Sequence, residues 1–258
     1  MLKKISEWLT LPEARGIDLD APESTQLHAA IIRKKPFLKN IYLDFYREFE
    51  RAGQDVPPGL WVELGSGGGF LKDVMPAVKT ADVLFLPTLD VCFAGEKMPF
   101  KNDSVSAFFM LNVFHHIKDA FLFLQEVSRC LKPGGRVVLI EPANSFWGRF
   151  IYTHFHHEPF DPAGGWRLTK DGPLSSANGA LPWIVFCRDR AKFARDFPSL
   201  VIKNERWHTP LLYLLSGGVS KRALVPARSY QFFKGLEFLL RPLARGFSMF
   251  MTIELQKQ

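Results

Sequence analysis

Leu60-Trp61-Val62-Glu63-Leu64-Gly65-Ser66-Gly67-Gly68-Gly69-Phe70 is the stretch that decides how this chain is read. A short apolar run suited to a buried strand gives way to four glycines within positions 65–69. Such a density implies a backbone that turns sharply, or that admits another group where a side chain would collide. Phe70, Leu71, Val74 and Met75 then fall at helical spacing, so the segment predicts strand, glycine loop and helix. In that arrangement the amides at the helix N-terminus point toward whatever sits above the carboxyl end of the strand.

Three cofactor patterns compete for the loop. A P-loop closes on Gly-Lys-Ser/Thr, whereas Gly69 is followed by Phe70 and Leu71. A dinucleotide fingerprint needs glycine at its sixth position, and counting from Gly65 that position is Phe70. What fits is acid-x-Gly-x-Gly-x-Gly, with Glu63, Gly65, Gly67 and Gly69. Downstream, Ala77–Asp82 reads as a second strand ending in an acid. A carboxylate there can accept hydrogen bonds from both hydroxyls of a ribose. An exposed turn aspartate is the alternative reading, and Asp90 is a competing candidate that precedes a strand-like run.

Upstream, Pro22 begins a helix, and Ile31, Leu38, Ile41, Phe45 and Phe49 recur at three- and four-residue steps with Pro36 interrupting. Two helices are expected, followed by a linker at Gln54–Gly59. At 258 residues, with 47% apolar and 23% charged residues, the chain has the composition of an ordinary globular domain. The formal charge of +7 permits an anionic partner. Cys92, Cys130 and Cys187 suggest neither a disulfide framework nor a zinc-ligand spacing. A cytoplasmic protein is expected, with no signal peptide and no membrane-spanning run.

The glycine loop resembles the first motif of the class I S-adenosylmethionine-dependent methyltransferases. Further segments follow in the order of that family. Val91–Phe100 leads into a polar turn. Ser106–Ile117 is a strand leaving the sheet near Asn112, and Asp119–Leu131 is an amphipathic helix. Leu131-Lys132-Pro133-Gly134-Gly135, a strand and Glu141-Pro142 are similar to the type-11 methyltransferase pattern. The resemblance implies an α/β, Rossmann-like doubly wound sheet, mostly parallel with an antiparallel last strand. It implies an N-terminal helical cap over 1–56 and a methyltransferase domain over 57–258, with insertions at about 143–183 and 211–246. The implied cofactor is S-adenosyl-L-methionine, leaving as S-adenosyl-L-homocysteine. Its pocket would be formed by Glu63, Gly65, Ser66, Gly67, Gly69, Asp82 and Asn112. Ala94 departs from the family by standing where an acid usually holds the adenine, and Glu96 is the substitute two positions on.

Catalytic candidates on the acceptor side are His115 and His157. His154, His157, Glu158 and Asp161 are weighed as metal ligands, but no second cluster completes a shell, so no metal is expected. The insertions suit a small acceptor, apolar or lipid-linked, better than nucleic acid. An interaction module without cofactor is the rival class, encouraged by Ala94. Residues 228–246 form a basic amphipathic helix. It is expected to cover the active site, with peripheral membrane contact as the alternative.

Overall fold

The computed structural model describes residues 8–170, 172 and 174–258. The first seven positions of the expected N-terminal cap lie outside the described residues, as do Asp171 and Pro173 of the first expected insertion. The two helices expected ahead of the glycine loop are α1 (Pro22–Lys34) and α2 (Pro36–Gly53). Each starts on a proline, where the missing N–H would have had no helical partner anyway. Lys35, before Pro36, is extended and separates them. Phe37, Leu38, Ile41, Tyr42, Phe45, Tyr46 and Phe49 of α2 are buried at three- and four-residue steps, one face of a helix. That face packs on the sheet: the rings of Phe49 and Phe109 lie 5.1 Å apart. Each phenylalanine so buried contributes about 1.5–3 kcal/mol, and α2 thus shares the main core.

The elements that follow include β1 (Leu60–Leu64), α3 (Leu71–Val74), β2 (Lys79–Asp82), β3 (Val91–Cys92), β4 (Val105–Leu111), α4 (Ala120–Cys130) and β5 (Leu131–Pro142). They continue with α5 (Phe146–Phe155), α6 (Arg190–Asp196), β6 (Leu200–His208), α7 (Leu212–Ser216), α8 (Tyr230–Leu239), α9 (Ala244–Phe247) and β7 (Phe250–Lys257). One sheet of seven strands runs β3-β2-β1-β4-β5-β7-β6. All pairs are parallel except those of β7, which is antiparallel to both β5 and β6. This is the doubly wound α/β architecture that the sequence led us to expect. The strand order reverses between β1 and β4, and such a reversal opens a crevice above the carboxyl ends of the strands.

Strand β4 is buried on both faces, as in sheets covered by helices on each side. Phe108 and Met110 join α4 residues Phe123, Leu124 and Val127 on one face. Ala107 and Phe109 join α2 on the other, the two-residue alternation of a strand.

Two local expectations are corrected. The helix after the glycine loop is a single turn, because Met75 precedes Pro76 and is driven out of the helical region. The insertion expected at about 143–183, which its Gly, Pro and aromatic residues suggest is an irregular loop, instead opens on a regular helix, α5 at 146–155. Ser145 caps α5: its hydroxyl accepts from the Gly148 amide at 2.8 Å and donates to the Ser248 carbonyl at 2.5 Å. The Tyr152 hydroxyl donates to the Met249 carbonyl at 2.6 Å, which ties α5 to the start of β7. No helix among the described residues is long and apolar enough to cross a membrane.

Candidate functional site

A cavity of about 790 Å³ lies above the carboxyl ends of β1, β2 and β4. Its lining includes Glu63, Gly65, Ser66, Gly67, Gly69, Asp82, Asn112, His115 and His157, so one space gathers the residues expected to form the cofactor pocket and the two catalytic candidates. The volume lies in the upper part of the range of about 300–1,000 Å³ typical of ligand pockets.

At one end stands the glycine loop. Gly65 has φ +65°, and a Cβ built on it would lie 2.4 Å from the Val113 side chain. Glycine there lets the loop after β1 touch the loop after β4, which closes the crevice from beneath. Asn112 turns the chain out of β4 with φ +57° while its amide still donates to the Ile140 carbonyl at 2.9 Å. Asparagine tolerates this left-handed conformation better than most side chains.

The Ser66 hydroxyl accepts from the Ala81 amide at 3.1 Å and donates to the Glu63 carbonyl at 3.2 Å. Its one proton is spent, so the side chain fastens the loop to β2. Asp82 accepts from the Gly67 amide at 3.0 Å through one oxygen and from the Leu84 amide at 3.0 Å through the other. Each oxygen keeps a further lone pair for a ligand hydroxyl. Burial pushes the Asp82 carboxyl up, and the amides of Leu84, Gly67 and Val83 work against this. Burial likewise pushes Glu63 up to about 8; the Ser66 hydroxyl dipole beside it opposes the rise and the Asp82 charge adds to it.

Asp90 is outside this constellation. It accepts from the Lys72 ammonium at 2.6 Å and from the Thr80 amide at 2.9 Å, and these bonds hold it well below the usual carboxylate range. It therefore clips β3 to β2. Glu96 lines the cavity, but one of its oxygens accepts from the Lys118 amide at 2.9 Å and the Asp119 amide at 3.2 Å.

The other end is a cluster of histidines and carboxylates. The fully buried Glu141 accepts from the Val113 amide at 2.8 Å and the Phe114 amide at 2.7 Å through one oxygen. Its second oxygen meets His115 Nδ1 at 2.6 Å. His115 Nε2 lies 3.3 Å from Glu158, and His116 Nε2 lies 3.5 Å from the same carboxylate. His156 and His157 each stand 3.6 Å from Glu158. Burial alone would lower His115, but the Glu141 and Glu158 carboxylates override it and raise the ring to about 10. His116 moves the other way, to about 4, through burial and the charge of His115. His154 is elsewhere: it is exposed, and its Nδ1 lies 2.8 Å from the Phe150 carbonyl. Asp161 serves the loop around Asn178 and Ala163.

The second cluster absent from the sequence reading is therefore His115-His116, which reaches the 156–158 segment through space. Glu141 and the central place of Glu158 were missed as well. A signal existed for Glu141, the one charged residue in the apolar run Val137–Pro142, since a charge buried in a strand requires a partner.

The expected cover by residues 228–246 is not made, because none of them lines the cavity. The Tyr230 ring packs 5.2 Å from Phe37, its hydroxyl donates to Asp44 at 2.6 Å, and Lys234 bonds the same carboxylate. These contacts hold α8 against α2, leaving Phe232, Phe238 and Leu239 70%, 60% and 71% exposed.

Residues 74–139 match the family model described as a methyltransferase domain. A demethylmenaquinone methyltransferase of Streptomyces griseus is 26% identical over 129 residues, 48% of this chain and 52% of the relative. The chain thus spans about half the length of that curated relative. Among solved structures, one similar to this chain is geranyl diphosphate C-methyltransferase from Streptomyces coelicolor A3(2), in complex with Mg2+, geranyl diphosphate and S-adenosyl-L-homocysteine. The match covers 97% of this chain and 89% of that one at 16% identity, with a TM-score of 0.50, a likeness of fold.

Proposed function

We propose, on the premise that this chain belongs to the class I S-adenosylmethionine-dependent methyltransferases, that it methylates a small apolar molecule held in the far half of the cavity. The observation that carries this reading is the division of a single cavity. The glycine loop, Glu63 and Asp82 stand at one end, and an aromatic and histidine wall stands at the other.

The residues present suit the cofactor. A Cβ on Gly68 would lie 2.8 Å from the Ala29 amide, and one on Gly69 2.9 Å from the Tyr46 hydroxyl, so the cradle exists only with glycine. Asp82 offers lone pairs to ribose hydroxyls, and the buried Glu63 offers a counter-charge to an ammonium. When bound, S-adenosylmethionine supplies a methyl group already activated on a sulfonium. What the chain must add is alignment of the two reactants and exclusion of water. Asn112 and Val113 stand between the two ends, where they set the approach of the acceptor. Tyr42, Tyr152, Phe160, Tyr213 and Phe250 wall the cavity with rings suited to an apolar acceptor. His157, on the cavity lining beside Glu158, is the group placed to take a proton from it. His115 has both ring nitrogens against carboxylates and acts as a positioning residue. The transfer leaves S-adenosylhomocysteine.

Calorimetry with S-adenosylhomocysteine tests the reading. Asp82→Ala should weaken binding by about 1.5–3 kcal/mol, the range for hydrogen bonds to a charged group. A loss under about 0.5 kcal/mol would remove Asp82 from the site. No heat at all from the wild-type protein would favour the rival reading of an interaction module.

A lipid-linked acceptor is favoured by a second observation. The exposed Phe232, Phe238 and Leu239 share one segment with Arg228, Lys234, Arg241 and Arg245. Lys234 is held by Asp44 and Arg245 by Glu205, and exposed apolar side chains bordered by Arg228 and Arg241 suit the surface of an anionic membrane.

A further inference from the structure

We propose that His115, His116 and Glu158 form a binding site for one zinc-class divalent cation at the acceptor end of the cavity. One donor atom from each of the three residues can be chosen so that all lie within 4.8 Å of one another. The turn Phe114–His116 after β4 supplies the two imidazoles, and the segment after α5 supplies the carboxylate.

The orientation of the rings supports a metal. His115 Nδ1 meets Glu141 at 2.6 Å and His116 Nδ1 meets the Ser176 carbonyl at 3.1 Å. Oxygen partners at Nδ1 fix both rings so that each Nε2 faces Glu158, the outer support found behind metal-bound histidines. The spacing points the same way. Charge-assisted N–H···O bonds run about 2.7–2.9 Å, and His115–Glu141 is as short as that. The two Nε2–Glu158 distances are 3.3 and 3.5 Å, too long for such bonds. Two donors each about 2.0–2.1 Å from a tetrahedral ion lie about 3.3–3.4 Å apart. The gap from His115 to one Glu158 oxygen, 3.3 Å, is the one a zinc ion would span, and His116 faces the other oxygen of the same carboxylate at 3.5 Å.

Two imidazoles and a carboxylate favour zinc or cobalt over magnesium, which takes oxygen ligands. Three protein ligands leave a position open, as in catalytic zinc sites. His156 and His157 stand near enough to contribute, or an acceptor oxygen can occupy that place. The site does not depend on methyl transfer, so its test uses metal binding alone.

Metal-free protein is titrated with Zn2+ and, separately, with Co2+ followed in the visible spectrum. One equivalent should bind, and Co2+ should give the intense absorption of a four-coordinate ion. His116→Ala and Glu158→Gln should each weaken binding about 100-fold or more, and Glu141→Gln about 10–100-fold. His154→Ala should leave it unchanged. Melting temperature in chelator checks that the variants fold, and the rise of that temperature on adding Zn2+ should vanish in His116→Ala. If a variant does not fold, the Co2+ spectrum of the wild-type protein decides: a weak octahedral spectrum overturns the proposal. Absence of stoichiometric zinc, or equal loss in His154→Ala, overturns it too.

Discussion

Cofactor binding should expel a proton, and Glu63 should be its source. In the free protein burial holds this carboxyl at about 8, so at pH 7 only about one-tenth of it is ionised by the titration relation. A ligand ammonium beside it stabilises the carboxylate and pulls the value back down. Binding of S-adenosylhomocysteine at pH 7 should therefore release about 0.9 proton, falling to about half a proton at pH 8. The sign follows from the raised value: below it the site must lose a proton before it can serve the ligand. Affinity should rise about tenfold from pH 6 to pH 7 and flatten above about pH 8. Titration calorimetry at pH 7 in several buffers of different ionisation enthalpy reads the proton count directly. Glu63→Gln should abolish the release and give weaker binding that no longer varies across that window. Binding without proton exchange, or exchange that persists in Glu63→Gln, would refute the role assigned to Glu63.

Two further outcomes are expected. Gly65→Ala forces a residue with a Cβ into φ +65° and onto Val113 at 2.4 Å, so it should cost about 2 kcal/mol or more in denaturant unfolding. Gly165→Ala, with nothing within 4 Å, is the control, and equal stability of the two variants would contradict the packing described here. On the exposed strip, vesicles of anionic lipid should sediment the protein at low salt and release it at high salt. Each cation near the surface is worth about 1 kcal/mol, and Phe238→Ser with Leu239→Ser should abolish sedimentation; binding indifferent to salt and to both substitutions would rule the strip out.

What could be read from the sequence was local. Glycine spacing marks the loop because only glycine meets the demands at Gly65, and Asp82 follows from the end of a short strand. The helix α2 is legible because its buried face repeats within one element. The shortening of α3 was available in Pro76, whose effect reaches one residue back. What escaped is long-range. Nothing near His115 in the chain announces Glu158, which arrives 43 positions later through the path of α5. The position of α8 was undecidable from its own pattern, since apolar residues at helical spacing suit burial and exposure equally. The Tyr230 and Lys234 bonds to Asp44 decide it, and those belong to another helix.

The place of β7 bears on the birth of the molecule at the ribosome. It is the last strand of the described chain, yet it lies between β5 and β6 and pairs along its length with both. A nascent chain that has emerged only as far as residue 249 can pair β1 through β5, while β6 has no neighbour to join. Two strand edges therefore remain open through the synthesis of the intervening helices, and open edges recruit strands of other chains. Closure of this half of the sheet is a late, non-local event, the kind that slows folding. The exposure of β5 and β6 to wrong partners lasts until β7 has emerged and paired with both.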